Sequence, residues 1–321
     1  MAASYRKIDY RVRPAKAVER KMFVEILRKL SEFGRLEGYR YVGFGSLYFS
    51  DFKLFHRVLG FDSMISIENT TDPIIQQRFS FNCPYRHVQM RYGLSTDILA
   101  ALDWYERTVA WLDYDGHLDK TTFADLEITC SKAKSGNAIF VTVNAAAPAE
   151  NNEDGEALGV LDALKKRVGN DRVPIGTKSS DFSGWGTAKV YRDIINTQIE
   201  DTLKKLNGVR PAGTKLVYKQ LVNFHYEDGA RMLTVGGVLY EADQSNLYER
   251  CGFDKLPFVA QATDAYLIDP PHLTFKEVRH IDASMPIPPA DFNKFSIPRT
   301  DVERYVKVYR YFPNFIEADA G

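Results

Sequence analysis

Four short groups of small, acidic and amide residues each come directly after an apolar run of this sequence. They are Gly43-Phe44-Gly45-Ser46, Glu68-Asn69, Gly93-Leu94-Ser95 and Asp113-Tyr114-Asp115-Gly116. Small residues let a backbone approach a ligand closely. A carboxylate 23 positions beyond Gly45 can accept hydrogen bonds from both hydroxyls of a ribose. The two acids of the last group would then lie beside the reacting end of that ligand, where they could orient a substrate or take its proton.

The apolar runs before these groups are short and alternate with helical patterns. Strands are predicted over 40–44, 64–67, 87–92, 108–112 and 138–143, and helices over 51–59, 72–81, 96–105 and 121–134. Five such strands separated by helices predict a parallel, doubly wound sheet. Ligands of open α/β sheets bind outside the carboxyl ends of the strands. We therefore expect the four groups to meet in one crevice.

The second half of the chain is expected to complete the sheet. Residues 146–214 are too long for an ordinary connection, so they are predicted to be a helical insertion that caps the sheet, with a lid at 179–186. The alternative is a tolerated surface insertion. The β-rich runs 215–225 and 231–240 are joined through Asp228-Gly229, which predicts a β-hairpin.

The predicted fold is α/β, with a doubly wound, mostly parallel seven-stranded sheet that ends in an antiparallel hairpin. Its main domain spans 36–272 and includes the insertion. A basic arm and helix over 1–35 precede it, with Gly34 as the helix C-cap. A small C-terminal extension over 273–321 follows. Thr300 and Glu303 predict a capping box that opens its last helix, and Tyr305, Tyr309 and Phe312 are expected to dock one face of that helix.

Composition narrows the class of protein further. The chain has 42 Lys plus Arg and 42 Asp plus Glu, and 45% of its residues are hydrophobic. These values exclude wholesale disorder and a surface uniformly coated in basic charge. Cys83, Cys130 and Cys251 form no Cys-x-x-Cys pair, and no run approaches 18 apolar residues. We therefore expect a cytoplasmic protein with reduced thiols and no membrane partner.

The order of the four groups, together with the terminal hairpin, resembles the Rossmann-like class I methyltransferases that use S-adenosylmethionine. The resemblance covers about residues 36–240. It implies that Gly43–Ser46 contacts the methionine part of the cofactor, Glu68–Asn69 the ribose and Gly93–Ser95 the adenine. Asp113 and Asp115 would face the methyl group and the substrate. The expected activity is S-adenosylmethionine-dependent methyl transfer to an unidentified acceptor.

Departures from the family's motifs leave two other functions open. Tyr41 stands where the first motif has an acid, Ser46-Leu47 follows Gly45 in place of another glycine, and Leu94 follows Gly93 where an aspartate is common. The main alternative is therefore a binding or interaction protein that kept the fold without the activity. A nicotinamide-dependent oxidoreductase is a third candidate, but the hairpin and the missing third glycine weigh against it.

The remaining motifs add little. Asp269-Pro270-Pro271-His272 is similar to the Asp-Pro-Pro-Tyr signature of amino-methyltransferases, but it lies after the hairpin and not after the fourth strand. The six histidines show no metal-ligand spacing, so no metal site is predicted. A Gly-x-Ser-x-Gly elbow and a Walker loop are absent from the sequence.

The N-terminal arm is the one segment that hints at a macromolecular substrate. Residues 1–22 carry seven positive and two negative side chains. A basic arm of this kind makes nucleic acid a candidate partner. The neutral overall charge limits that hint, because such an arm is also common as the solvated approach to a helix.

Overall fold

The computed structural model describes residues 13–152, 154–259 and 263–313. Within these residues a single eight-stranded sheet has the order β3-β2-β1-β4-β5-β7-β6-β8. Its strands are β1 (Tyr39–Gly43), β2 (Ser63–Glu68), β3 (Val88–Tyr92), β4 (Arg107–His117), β5 (Asn137–Asn144), β6 (Leu216–Glu227), β7 (Arg231–Glu241) and β8 (Tyr266–Ile268).

The pairing directions place most carboxyl ends at one edge of this sheet. Strands β1 to β5 are mutually parallel, β7 is antiparallel to both β5 and β6, and β8 is parallel to β6. The strand order reverses between β1 and β4, which is where open α/β sheets bind their ligands. The expected fold class, including the terminal hairpin, is confirmed.

The predicted number of seven strands is wrong by one. The additional strand, β8, pairs with Phe224–Tyr226 of β6 over three residues. So short a segment carries no measurable alternation of apolar and polar side chains, and two prolines follow it closely at Pro270 and Pro271. The sheet neighbour, and not the local pattern, makes this segment a strand.

Helices cover both faces of the sheet. They are α1 (Pro14–Lys29), α2 (Ser50–Leu59), α3 (Pro73–Asn82), α4 (Ser95–Ala101), α5 (Lys120–Ser131), α6 (Val160–Val168), α7 (Gly186–Asn207), α8 (Ser245–Cys251), α9 (Phe275–Asp282) and α10 (Arg299–Val308). One core cluster contains Phe23 of α1, Phe55 of α2 and Trp111 of β4. A second, on the opposite face, contains Leu126 of α5 and Ile195 of α7.

Helix α7 lies within the segment 146–214 that we expected to cap the sheet. Its Tyr191, Ile194 and Ile195 are at most 1% exposed and belong to the core of one sheet face. This helix is therefore a layer of the domain. Before it, the indole of Trp185 stacks on the imidazole of His225 with ring centroids 4.8 Å apart, which joins this segment to β6.

Strand β4 runs further than the sequence predicts. It continues through the group Asp113–Gly116, because Asp113 still pairs with Thr142 and His117 pairs with Asn144 of β5 after a shift in register. An irregularity of this kind admits extra residues and turns side chains away from the regular alternation. The two acids therefore belong to the last part of a strand and not to a loop after it.

The start of α10 is another correction. This helix begins at Arg299 after Pro298, and its N-cap makes no side-chain hydrogen bond, so the predicted capping box at Thr300 and Glu303 is wrong. The N-cap is Pro298, two residues before Thr300. A capping box does occur in α9, where Thr274 and Glu277 bond reciprocally.

The C-terminal extension has a small core of its own. Val278 and Ile281 of α9 pack with Val302 and Tyr305 of α10. Tyr305 is 2% exposed, and its ring centroid lies 5.0 Å from that of Phe312, in agreement with the docking role expected for this aromatic face. At the other end of the chain, α1 ends at Lys29 and continues as a short 3₁₀ turn, so Gly34 lies beyond the helix and is not its C-cap.

Among the helices described, none combines the length and the apolar character that a membrane crossing requires.

Candidate active site

The turn after β1 contacts the carboxyl end of β2 directly. The backbone N–H of Gly45 donates to Ser66 Oγ at 3.0 Å, and the N–H of Ser46 donates to Glu68 Oε1 at 2.8 Å. Ser46 has a φ of 55°, a left-handed conformation that costs a non-glycine residue about 1–2 kcal/mol. The glycine group and the acid thus form one unit at the point where the strand order reverses.

Packing around the turn requires both of its glycines. A Cβ on Gly43 would lie 2.7 Å from the hydroxyl of Tyr41, and a Cβ on Gly45 would lie 2.5 Å from the ring of Phe49 and 2.6 Å from Ser66 Oγ. The protein's own side chains therefore account for the absence of a Cβ at these two positions. Close approach of a ligand is not needed to explain the glycines.

Glu68, the last residue of β2, is the titratable group that contacts the turn after β1. Its Oε1 accepts the Ser46 N–H and, at 3.4 Å, the Ser66 hydroxyl. Burial is the main reason why the pKa of Glu68 rises to about 7, and the negative charges of Asp51 and Asp115 raise this pKa further. Both hydrogen bonds within the described residues use Oε1, which leaves Oε2 as an acceptor for a ligand.

The loop after β3 is held against the same strand end. The N–H of Gly93 donates to the carbonyl oxygen of Glu68 at 3.1 Å. Leu94, which follows, is 52% exposed, and the neighbouring Asn69 is exposed as well. The structure therefore brings the groups after β1, β2 and β3 together, as the sequence predicts, with an apolar side chain open to solvent at the third.

Asp125 of α5 is a buried residue that sequence reasoning missed. Its carboxylate accepts hydrogen bonds from Ser95 Oγ at 2.5 Å, Thr96 Oγ1 at 2.7 Å and the Tyr114 hydroxyl at 2.5 Å. This carboxylate therefore joins the start of α4 to the end of β4. The available signal was an acid on the inward face of α5, between the buried residues Thr122 and Thr129.

Tyr114 also contacts the turn after β1. Its ring centroid lies 5.1 Å from that of Phe44, with the rings inclined at 64°. Burial and the neighbouring carboxylate of Asp125 hold the pKa of Tyr114 well above its ordinary value. Tyr114 thus stays a neutral hydrogen-bond donor at the edge of the crevice.

The carboxylate of Asp113 is occupied by an ion pair that the sequence did not reveal. Lys16 Nζ lies 2.8 Å from Asp113 Oδ1 and 2.7 Å from Glu19 Oε2. The same ammonium donates to the hydroxyl of Tyr226 at 3.1 Å and lies 4.4 Å from the ring centroid of Trp111. Asp113 is therefore engaged by a buried cation, and its side chain remains 26% exposed.

Helix α1 reaches this edge because its first turn is tied to the β6–β7 hairpin. The backbone N–H groups of Ala15 and Lys16 donate to the carboxylate of Asp228 at 3.1 and 2.8 Å. An acid at this position satisfies unpaired donors of the helix and suits its dipole. The Asp228-Gly229 turn predicted from the sequence thus also positions Lys16.

Asp115, the second acid of the fourth group, differs from Asp113 in its surroundings. It is exposed, yet near enough to Glu68 for its charge to raise the pKa of that carboxyl. Of the two acids, Asp115 is the more accessible to a substrate. Its location is at the carboxyl end of β4, next to the strand-order reversal.

A carboxylate lies close to the position where the sequence shows Tyr41 instead of an acid. The hydroxyl of Tyr41 donates to Asp51 Oδ2, and both side chains are buried. Burial raises the pKa of Asp51, and the charge of Arg20 from α1 opposes this rise. Asp51 belongs to α2, ten positions along the chain, so linear spacing could not have pointed to it.

Sizeable cavities between the described residues lie outside this crevice. One of about 540 Å³ is lined by residues of the 174–193 segment, including Trp185 and Lys189. Another of about 860 Å³ is lined by residues near the start of β1 and β4, including Tyr39 and Arg107. Neither lining includes the four groups described above, so we do not assign the predicted ligand to either cavity.

Comparison with known proteins identifies the family. The sequence profile of a family described as "Putative O-methyltransferase" matches residues 8–320. The chain belongs to this family. The match confirms the expected membership of a methyltransferase family, and it spans the N-terminal helix, the insertion and the C-terminal extension as well as the central sheet. No curated protein matches the chain.

Solved structures resemble the chain at low identity. Trm1 from Pyrococcus horikoshii with S-adenosyl-L-methionine has 12% identity and a TM-score of 0.43, over 71% of this chain and 57% of that one. TYW2 from M. jannaschii in complex with AdoMet has 13% identity and a TM-score of 0.38, over 74% of this chain and 80% of that one. Human N-acetylserotonin methyltransferase in complex with SAM has 12% identity and a TM-score of 0.32, over 70% of this chain and 54% of that one. This chain covers little more than half of the length of the Trm1 and N-acetylserotonin methyltransferase chains. The fold assignment rests on the strand order and on the family match.

Proposed function

We propose that the protein transfers a methyl group from S-adenosylmethionine to a hydroxyl oxygen of its acceptor. The observation that carries this proposal is the hydrogen bond from the Ser46 N–H to Glu68, which joins the turn after β1 to the acid after β2. This unit lies at the reversal of strand order, where the fold binds ligands. The family description supports oxygen as the accepting atom.

The residues of the crevice fit this cofactor. The Oγ of Ser46 is buried and has no hydrogen-bond partner within the described ranges, so it can bond to the methionine part. Glu68 Oε2 would accept from the ribose hydroxyls, and the exposed Leu94 offers an apolar surface to the adenine. When bound, the cofactor supplies an electrophilic methyl group for in-line displacement.

Asp115 and Asp113 take different parts in this proposal. Asp115, which is exposed, would orient the acceptor hydroxyl and take its proton as the oxygen attacks. Asp113 is held by Lys16 and would fix the shape and charge of the site beside the cofactor. Positioning of the reacting groups supplies most of the rate enhancement in such a displacement.

The chemical class of the acceptor is better argued from the family than from the basic arm. Of the seven arm cations, four lie within the described residues. Lys16 is buried in ion pairs, Arg13 lies 3.7 Å from Asp228, and Lys21 donates to the carbonyl of Phe312. Arg6, Lys7 and Arg11 lie outside the described residues. Nucleic acid as a partner therefore stays a prediction, and we favour a small hydroxyl compound.

Calorimetric titration with S-adenosylhomocysteine, the demethylated product, tests the cofactor site. We expect one site per chain. Release of S-adenosylhomocysteine from S-adenosylmethionine in the presence of phenols, catechols and aliphatic alcohols then tests the reaction. Cofactor binding without turnover on any acceptor would favour the binding-protein alternative. Absence of binding would reject the proposal.

A further inference from the structure

Three side chains with metal-ligand chemistry meet at the edge of the sheet opposite the candidate active site. One nitrogen from each of His56 and His87 and one carboxylate oxygen of Asp62 all lie within 4.8 Å of one another. His56 is in the last turn of α2, Asp62 directly precedes β2, and His87 directly precedes β3. The cluster thus joins two neighbouring connections at the amino ends of adjacent strands.

We propose that His56, Asp62 and His87 bind one divalent transition-metal ion of the zinc type. Two imidazoles and one carboxylate are a donor set that suits such ions. Ligand atoms about 2.0–2.2 Å from zinc lie roughly 3.3 Å apart in a tetrahedron. The present spacing is therefore wider than that by about 1.5 Å at most, which side-chain rotations can close. Water would complete the four ligands.

The two imidazoles differ in their present hydrogen bonds. His56 Nδ1 lies 2.9 Å from the carbonyl oxygen of Phe61. The same Nδ1 lies 3.8 Å from Asp62 Oδ1. With its proton on Nδ1, the ring would donate to Phe61 and keep a lone pair on Nε2, the arrangement found around metal-binding histidines, and a rotation of the side chain would bring Nε2 to the ion. His87 Nε2 is buried and has no hydrogen-bond partner among residues 13–152, 154–259 and 263–313.

Aromatic contacts fix where the two imidazole rings lie. The ring of His87 is stacked on Tyr85, with centroids 5.4 Å apart and planes inclined at 8°, and the centroids of His56 and His87 are 4.2 Å apart. Arg57, the residue after His56, donates to the Tyr85 hydroxyl at 3.0 Å.

The location argues for a structural ion and against a part in methyl transfer. Glu68 ends β2 and lies six positions after Asp62, which is about 20 Å at roughly 3.3 Å per residue. An ion here would tie the α2–β2 connection to the α3–β3 connection. It would therefore stabilise the half of the sheet that carries the candidate cofactor site without touching the cofactor.

The test uses the full chain after treatment with a chelator, titrated with zinc chloride in a calorimeter. We expect one zinc ion per chain and a rise in the thermal unfolding midpoint when zinc is added. His56→Gln, His87→Gln and Asp62→Asn should each weaken zinc binding at least tenfold. His272→Gln, at an exposed histidine beyond β8, is the matched control and should bind zinc as the wild type does.

Cobalt chloride provides an independent readout, because cobalt in a tetrahedral site absorbs strongly in the visible range and the His87→Gln variant should lose this band. Binding of S-adenosylhomocysteine reports whether each variant is folded. If His87→Gln does not fold, zinc binding by Asp62→Asn, a substitution at an exposed position, still tests the proposed site. Zinc binding that is absent from the wild type, or unchanged in all three variants, overturns the proposal.

Discussion

Replacement of Glu68 by alanine and by glutamine separates a ligand-binding role from a structural one. Alanine removes the acceptor of the Ser46 N–H together with the acceptor of the ribose hydroxyls. Glutamine keeps an oxygen for Ser46 and has nearly the same shape, but it carries no charge. The two variants should therefore differ in stability while both bind the cofactor more weakly.

The magnitudes follow from the contacts of the carboxylate. Loss of hydrogen bonds to a charged acceptor costs about 1.5–3 kcal/mol, so Glu68→Ala should weaken S-adenosylhomocysteine binding by roughly 10- to 150-fold. Hydrogen bonds to a neutral acceptor are about half as strong, so the loss in Glu68→Gln should be smaller, on the order of fivefold. Alanine also leaves the Ser46 N–H without its partner, which at pH 5, where folded Glu68 is protonated, should lower the free energy of unfolding by about 1–3 kcal/mol.

Stability as a function of pH distinguishes the glutamine variant further. The pKa of Glu68 is raised from 4.5 to about 7, so the folded state binds a proton that the unfolded state releases between these values. The contribution of Glu68 to the free energy of unfolding is therefore fully present below pH 4.5. It decreases by roughly 3 kcal/mol at most as the pH rises to about 7. Glu68→Gln cannot lose a proton. Its unfolding midpoint relative to the wild type should therefore rise between pH 5 and pH 8.

Calorimetry at pH 8 and thermal unfolding at both pH values provide these measurements. The control is Glu303→Ala, an exposed acid on α10, which should change neither quantity. Wild-type affinity for S-adenosylhomocysteine in both Glu68 variants would refute the ribose role. A lowered unfolding midpoint in Glu68→Ala alone would then assign this residue to structure.

Three other substitutions test the rest of the site. Asp115→Asn should lower turnover by about 10²–10⁴-fold if Asp115 is the base, with S-adenosylhomocysteine affinity changed by less than about 1 kcal/mol; full activity would contradict the base role. Lys16→Met leaves the charges of Glu19 and Asp113 uncompensated and should lower the free energy of unfolding in urea by about 3–5 kcal/mol; a loss below 1 kcal/mol would show that Lys16 is dispensable. Ser46→Gly removes the left-handed strain at φ 55° and should raise that free energy by about 0.5–1 kcal/mol; a decrease would show that the strain is absent.

The strands and their shared edge could be predicted because their signals are local. Each strand from β1 to β5 is a short apolar run that ends in small or acidic residues, and parallel order fixes which ends meet. The contact between Ser46 and Glu68 is a direct consequence of that order. A family resemblance was needed only to say what the crevice binds, because backbone order does not name a ligand.

The long-range partners could not be predicted. Lys16 and Asp113 are 97 positions apart, and Asp125 is 29 and 30 positions from Thr96 and Ser95. Nothing in the local sequence distinguishes Lys16 from a solvated helix residue, and the one signal for Asp125 is its place on the inward face of α5. The cluster of His56, Asp62 and His87 was missed for the same reason: its members come from three segments, and a search for regular spacing finds only ligands on one element.

Helix ends show how a correct local rule can select the wrong site. Thr300 and Glu303 have the capping-box spacing, but the preceding Pro298 already fixes the entry of the chain, and α10 starts at Arg299. Thr274 and Glu277 have the same spacing and do form the box. The spacing is thus necessary for this cap, and the backbone before it decides whether the cap forms.

The pair of Tyr41 and Asp51 bears on the alternative that the fold kept no activity. That alternative relies on Tyr41 replacing an acid, yet the Tyr41 hydroxyl holds the carboxylate of Asp51 beneath the turn after β1. Burial raises the pKa of both groups, so the pair carries a desolvation cost. Apolar residues at both positions would pack with Phe52 and Phe55, whose rings already contact Tyr41, and would avoid this cost. Asp51 thus supplies from α2 a carboxylate beside the place where the first motif has its acid, so the replacement at Tyr41 is weak support for the inactive alternative.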